Sequence, residues 1–177
     1  IIMTKAIGTG VSLLALKAGL LSKAEQALLF TALTTLNDRA LEAARTVDIH
    51  ACTDVTGFGL VGHIHEIAKA SKLAARMLIS ALRFFPSAQE FAKQGLVPAS
   101  AYGNRKSFEA SVSYIKDLPL EISDLLYDPQ TAGGLLLAVA AHDSANLITA
   151  MSEVGIEATD IGEFTEGIPG HIDVLIS

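Results

Sequence analysis

Two periodicities of apolar residues alternate along the chain. Ile1 to Ile7 alternates weakly and predicts a strand, which runs through Gly8-Thr9-Gly10 into the apolar stretch Val11 to Leu21, read as a helix. Ser22 stands at capping-box spacing from Glu25 and predicts a helix continued by Leu28, Leu29, Ala32 and Leu33. Asn37 or Asp38 caps a third helix through Leu41, Ala44 and Arg45. Val47 to Val55 predicts a second strand, and the glycines after it lead to Leu60, Val61, Ile64, Ile67 and Ala68 at helical spacing. Leu73 to Ile79 is a further strand.

The second half is less regular at first. Pro86, Gly95, Pro98 and Gly103 interrupt short helical pieces between Ser80 and Lys116, an α-rich excursion with a loop expected at Ala99 to Lys106. Asp117 to Tyr127 is a short helix, Asp128 to Gly134 a turn, and Leu135 to Val139 a fully apolar strand. Asp143 or Ser144 opens a helix through Leu147, Ile148 and Met151, with Gly155 as its stop. Ile156 to Phe164 and His171 to Ile176 close the chain as strands around the turn Thr165 to Gly170. No repeat of fixed period is present. The pattern predicts an α+β domain of mixed α/β layers, with one mixed sheet covered by helices, spanning all 177 residues.

Composition narrows the partners. Half the residues are apolar and 18% are charged, which excludes disorder as the main state. A single cysteine, Cys52, excludes a disulfide framework and any Cys-Cys zinc site, and makes a reducing, cytoplasmic setting the expectation. No apolar run approaches the ~18 residues of a membrane span, so a soluble chain is expected. The chain opens Ile1-Ile2-Met3 with neither a leader pattern nor an initiator methionine, and is expected to be a piece of a longer polypeptide. Net charge is −6, and after Lys116 there is no lysine or arginine among eleven acidic residues. Such a surface repels phosphate backbones and anionic lipid, so neither nucleic acid nor a membrane is an expected partner. It is either a solvated face or one docked on a basic neighbour.

The candidate chemistry concentrates at Asp54 and the glycines after it. Gly57-Phe58-Gly59-Leu60-Val61-Gly62 matches G-x-G-x-x-G between a strand and a helix, the arrangement that brings backbone N–H groups to a pyrophosphate. The acidic residue expected about 20 positions on is missing, although Arg83 suits a 2′-phosphate, so a dinucleotide-binding domain stays open as an alternative. Asp54, at a strand end beside these glycines, repels a bare phosphate but suits one shared with Mg²⁺, which takes carboxylate and phosphate oxygens; capping the turn is its structural reading. His63 and His65 point about 200° apart on a helix and cannot share a metal, so both are read as surface or packing residues. Cys52 is read as a buried, inert thiol. The Asp128 to Gly134 turn either admits a ligand closely or simply feeds a buried strand. Lys5 meets phosphate or ends a strand, and Asn104 and Arg105, in a polar loop, are within the repertoire of anion contacts. No nucleophile, general-base pair or Walker-type lysine is visible, so no residue is assigned a catalytic role.

Two strings carry a resemblance. Ala51-Cys52-Thr53-Asp54-Val55-Thr56-Gly57-Phe58-Gly59-Leu60-Val61-Gly62-His63 and Leu126-Tyr127-Asp128-Pro129-Gln130-Thr131-Ala132-Gly133-Gly134-Leu135-Leu136 resemble the C-terminal half of the selenophosphate synthetase (selenide, water dikinase) family. Thr4-Lys5-Ala6-Ile7-Gly8-Thr9-Gly10 is similar to the start of that half, and the resemblance runs along the whole chain. It implies a fold like the C-terminal domain of aminoimidazole ribonucleotide synthetase. It implies an enzyme converting ATP, selenide and water to selenophosphate, AMP and phosphate with Mg²⁺, working as a homodimer. Asp54 matches the family's magnesium-binding aspartate, and Lys5, Thr56, Gly57, Gly59, Asn104 and Arg105 are the candidate ATP-phosphate contacts beside it. The reactive cysteine or selenocysteine, its companion lysine and the glycine-rich ATP segment belong, in that family, to an N-terminal ATP-binding domain absent from this chain, which is therefore expected to be inactive alone. Ala132 stands where the family string often has serine. A non-catalytic dimerisation module is the other alternative.

Overall fold

A computed structural model describes residues 1–176. Strand β1 (Ile2–Met3) is short and leads to helices α1 (Thr9–Lys17), α2 (Lys23–Thr34) and α3 (Asp38–Ala44). Then come β2 (Ile49–Asp54), α4 (Gly59–Ala70), β3 (Ala74–Leu78), α5 (Ala88–Lys93) and α6 (Ala99–Phe108). The chain continues through β4 (Val112–Tyr114), α7 (Leu120–Tyr127), β5 (Leu135–Val139), α8 (Ser144–Glu153), β6 (Thr159–Asp160), β7 (Gly162–Thr165) and β8 (Ile172–Leu175). The capping box forms as predicted, with Ser22 Oγ accepting from Glu25 N at 3.3 Å and Glu25 Oε2 accepting from Ser22 N at 2.8 Å.

The α+β class holds, but the strands form two four-stranded sheets rather than one. The first has the order β2-β5-β1-β6 with antiparallel pairs throughout; the second has the order β4-β8-β3-β7, parallel except for β3 with β7. The expected single strand Ile156 to Phe164 is where they part. Ile161 N donates to Ile1 O in the first sheet, and Ile161 O accepts from Leu78 N in the second. Gly162 turns the chain between them at φ +149, where a Cβ would lie 1.9 Å from Arg76 O. Only glycine fits so close to a neighbouring backbone at that angle.

A core between the sheets joins Met3, Leu136, Ala75, Met77, Val174 and the inner face of α4, Leu60, Val61 and Ile64. The opposite face of the first sheet, through Ile2, Leu135 and Leu137, is covered by α3 and α8. A third cluster packs α1, α2, α5 and α6 around Val11, Leu29, Phe91 and Ala101. The loop expected at Ala99 to Lys106 is instead α6: burial of Ala101 and Asn104 overrides the weak helix propensity of the glycine-containing segment. No helix of the described residues is long and apolar enough to cross a membrane.

Candidate functional site

Strand β2 lies at the edge of the first sheet and pairs only with β5. Alternation along it leaves His50, Cys52 and Asp54 exposed. The burial expected for Cys52 is therefore not found. Partial desolvation and the Asp54 charge raise its thiol pKa, favouring the protonated form. Asp54 sits opposite Leu135 at the end of the strand, and its carboxylate makes no hydrogen bond or ion pair among the described residues. An exposed carboxylate left free at a strand end offers a hard oxygen donor.

The turn that follows is gripped from three sides. Thr56 N–H donates to His63 Nε2 at 2.9 Å, and Thr56 O accepts from Gln130 N at 3.0 Å and from Gly59 N at 3.1 Å. Gly57 O accepts from Asn104 Nδ2 at 2.8 Å, and the same amide donates to Tyr127 O at 2.9 Å. Gly59, at φ +70, lets α4 start directly against the Tyr127 backbone, where a Cβ would approach to 2.8 Å. Gly57 differs: it is exposed, and a Cβ there would meet nothing within 4 Å. Packing within the chain explains Gly59 but does not require glycine at 57. Neither the Gly57 nor the Phe58 N–H has a hydrogen-bond partner among the described residues. Two free amides thus stand at the start of α4, beside Asp54 in sequence, where the helix dipole favours an anion.

The remaining predicted residues serve the frame. Asn104 is buried and braces the turn from α6. Arg105 points away from the turn: its Nη2 donates to Asp124 Oδ1 at 2.7 Å and its guanidinium lies 4.8 Å over the Tyr127 ring. The tyrosine hydroxyl is 3.0 Å from that of Tyr114, and burial pushes its pKa upward. Lys5 Nζ donates to Thr35 O at 2.7 Å and Ala132 O at 3.0 Å, tying the C-terminus of α2 to the second glycine turn, and burial lowers its pKa. Thus Asp54, Thr56, Gly57, Gly59 and Asn104 come together, Arg105 buttresses them through α7, and Lys5 belongs to the neighbouring turn.

That neighbouring turn follows the structural reading of Asp128 to Gly134. Asp128 is fully buried, and its Oδ2 accepts from Gly10 N and Gln130 Nε2, each at 3.0 Å. Gln130 Oε1 accepts from Gly8 N at 2.9 Å and Thr9 N at 3.1 Å. The segment caps the N-terminus of α1. Desolvation pushes the Asp128 carboxyl up to about 7 against those hydrogen bonds.

His65 is buried with Nδ1 2.8 Å from Gly170 O, as a packing residue should be. His63 is the residue whose role sequence reasoning missed. Side chains on a helix lean toward its N-terminus, so a histidine in the second turn of α4 reaches back to the preceding loop. No three His, Cys, Asp or Glu side chains among the described residues are placed to hold a metal. Asp54 fits Mg²⁺ only where phosphate, water or another part of the molecule supplies the other ligands, the usual manner for this ion. The dinucleotide alternative fails on topology: β2 is an edge strand antiparallel to β5, and β3, which follows α4, lies in the other sheet. A dinucleotide fold needs both strands parallel in one sheet.

Relatives agree with this frame. The profile of the family described as AIR synthase related protein, C-terminal domain, matches residues 1–173. A selenide, water dikinase of Pelobacter propionicus is 38% identical over 94% of the chain, and one of Escherichia coli K12 is 36% identical over 98%. The chain spans about half the length of these curated relatives, 48% and 49% respectively. Among solved structures, a hydrogenase maturation protein HypE superposes with TM-score 0.68 at 16% identity, covering 97% of this chain and 47% of that one. Thiamine-monophosphate kinase of Stenotrophomonas maltophilia K279a superposes at 0.66 with 17% identity, over 98% and 48%. At those identities the likeness concerns the fold alone. With the profile covering nearly all its residues, the chain belongs to the AIR synthase related protein, C-terminal domain family.

Proposed function

We propose that this chain is the phosphate-facing half of a selenide, water dikinase, which converts ATP, selenide and water to selenophosphate, AMP and orthophosphate. The observation that carries the reading is Asp54, an exposed and unpartnered carboxylate next to a glycine turn whose inward polar groups are all held. Selenide, water dikinase relatives at 36–38% identity support the choice of substrate class. The chain works joined to an N-terminal half that grips ATP, and within a homodimer.

In this reading Asp54 would be the residue that holds Mg²⁺, and the free Gly57 and Phe58 amides would donate to a phosphate. Bound Mg²⁺ neutralises phosphate charge. Phosphoryl transfer depends chiefly on such positioning and neutralisation, so a half-site without a nucleophile still matters to the rate. Asn104 and Gln130 hold the turn so that no reorganisation accompanies the reaction. The missing side chain at Gly57 leaves room for the nucleotide or for the other half's backbone.

The test is Asp54→Asn in a protein that carries this chain together with the N-terminal half. The expected result is at least a tenfold loss of Mg²⁺-dependent AMP formation, about 1.4 kcal/mol of transition-state stabilisation. Thermal stability should stay within about 0.5 kcal/mol, because an exposed, unpartnered side chain is replaced by its isostere. Unchanged turnover and magnesium dependence would remove Asp54 from the site. The 177-residue chain alone should release no phosphate from ATP in the presence of selenide.

A further inference from the structure

Every element that holds the Thr56–Gly57 turn does so through a backbone or carboxamide group, with one exception. His63 reaches back from α4 and places Nε2 2.9 Å from Thr56 N and 3.3 Å from Thr56 Oγ1. A backbone N–H is only a donor, so Nε2 must be the unprotonated nitrogen and the ring proton must sit on Nδ1. The ring is half-buried, 5.9 Å centroid to centroid from Phe58. It also lines a cleft of 320 Å³ between β2 and α4, with Thr53, Glu66 and Ile67.

We infer that His63 is a positioning residue: as neutral, Nδ1-protonated imidazole it accepts the Thr56 N–H, and so keeps the Gly57 and Phe58 amides turned outward. The role toward phosphate rests on the function proposed above; the hydrogen bond and the tautomer do not. The charged groups that bear on the ring are Asp54 from β2 and Glu66 from its own helix, both of which favour protonation. Burial opposes them and prevails, lowering the imidazole pKa below its ordinary value and keeping the acceptor in place at neutral pH. A second proton turns Nε2 into a donor facing a donor. Acidification therefore releases the Thr56 amide and loosens the turn while Asn104 still holds Gly57 O.

Nitrogen-15 NMR of the 177-residue chain tests this directly. Long-range ¹H–¹⁵N correlation of the His63 ring should show the Nδ1–H tautomer at pH 7.5. The Thr56 and Gly57 amide resonances should titrate together with that ring on the acid side of 6.5. Hydrogen exchange at Thr56 should accelerate about tenfold in His63→Ala and return toward the parent rate in His63→Gln, whose carboxamide oxygen can accept the same bond. An Nε2–H tautomer in the parent protein, a measurement that needs no variant, would overturn the inference. So would a Thr56 amide indifferent to both the titration and His63→Ala. If Asp54→Asn leaves turnover untouched while the Nδ1–H tautomer and the linked titration are found, Asp54 leaves the proposed phosphate site and the role of His63 in holding the turn stands.

Discussion

The two aspartate-glycine segments are built from similar residues and are used in opposite ways. In the first, Asp54 is exposed and unpartnered, and Gly57 opens onto free space. In the second, Asp128 is fully buried under the first turn of α1, and Gly133 lies so close to β2 that a Cβ would stand 2.0 Å from Val55 O. Asp and Gly at a strand end therefore say little by themselves about ligands. Whether a carboxylate does chemistry or fastens a fold depends on whether another element covers it. Here Asp54 stays exposed at the end of β2, whereas the Asp128 turn is wedged between α1 and the residues that follow β2.

The contrast is sharpest at Gly133→Ala, for which we expect the largest effect, about 4 kcal/mol or more, because backbone rather than a flexible side chain stands in the way. Thermal or urea unfolding would read it; a loss under 1 kcal/mol would mean the two turns are less tightly joined than they look.

Next in size is the pH dependence of Asp128. Its folded-state pKa of about 7 lies above the ordinary carboxylate value, so folding favours the protonated form. Its contribution is full below about pH 4 and is lost as pH rises through 7, an effect on the order of a few kcal/mol. The thermal midpoint of Asp128→Asn should thus gain on the parent between pH 5 and pH 8. The His63 pair has the opposite sign, since a lowered imidazole pKa gives stability that is present above 6.5 and is lost toward acid. Parallel pH profiles for Asp128→Asn and the parent would erase the distinction between the segments.

Asn104→Ala leaves Gly57 O and the buried Tyr127 O without their donor and should cost about 2 kcal/mol in denaturant unfolding. Gly57→Ala should be the mildest for the fold, within about 0.5 kcal/mol, since its φ is not in the left-handed region and the space beyond it is open. In the two-half dikinase proposed above, the same change should lower nucleotide turnover by crowding the approach to the turn. A variant with parent-like turnover would indicate that nothing comes close to this glycine.

Much of this was legible from local pattern. The capping box at Ser22 and Glu25, the β2 and β5 strands, the α4 face and the glycine turn between β2 and α4 all follow from side-chain spacing and turn chemistry, which act over a few residues. The resemblance carried by the two strings likewise led to the family. Arg105 and Lys5 were harder, because a basic residue in a polar stretch reads as a phosphate contact until Asp124, Tyr127 and the α2 carbonyls are seen around it. The segment at Ala99 to Lys106 misled for a related reason: its helicity comes from burying Ala101 and Asn104, which propensity does not register.

By itself the sequence determined most of the elements and the capping box at Ser22, since each depends on near neighbours along the chain. Tertiary structure decided that the strands divide into two sheets at Gly162, that Asp54 faces outward while Asp128 is enclosed, and that His63 holds Thr56. Those outcomes rest on contacts between residues far apart in sequence, or on which layer happens to cover a strand end. Burial, and with it the proton affinity of each carboxylate and imidazole, is a property of the assembled layers and not of the residues that enter them.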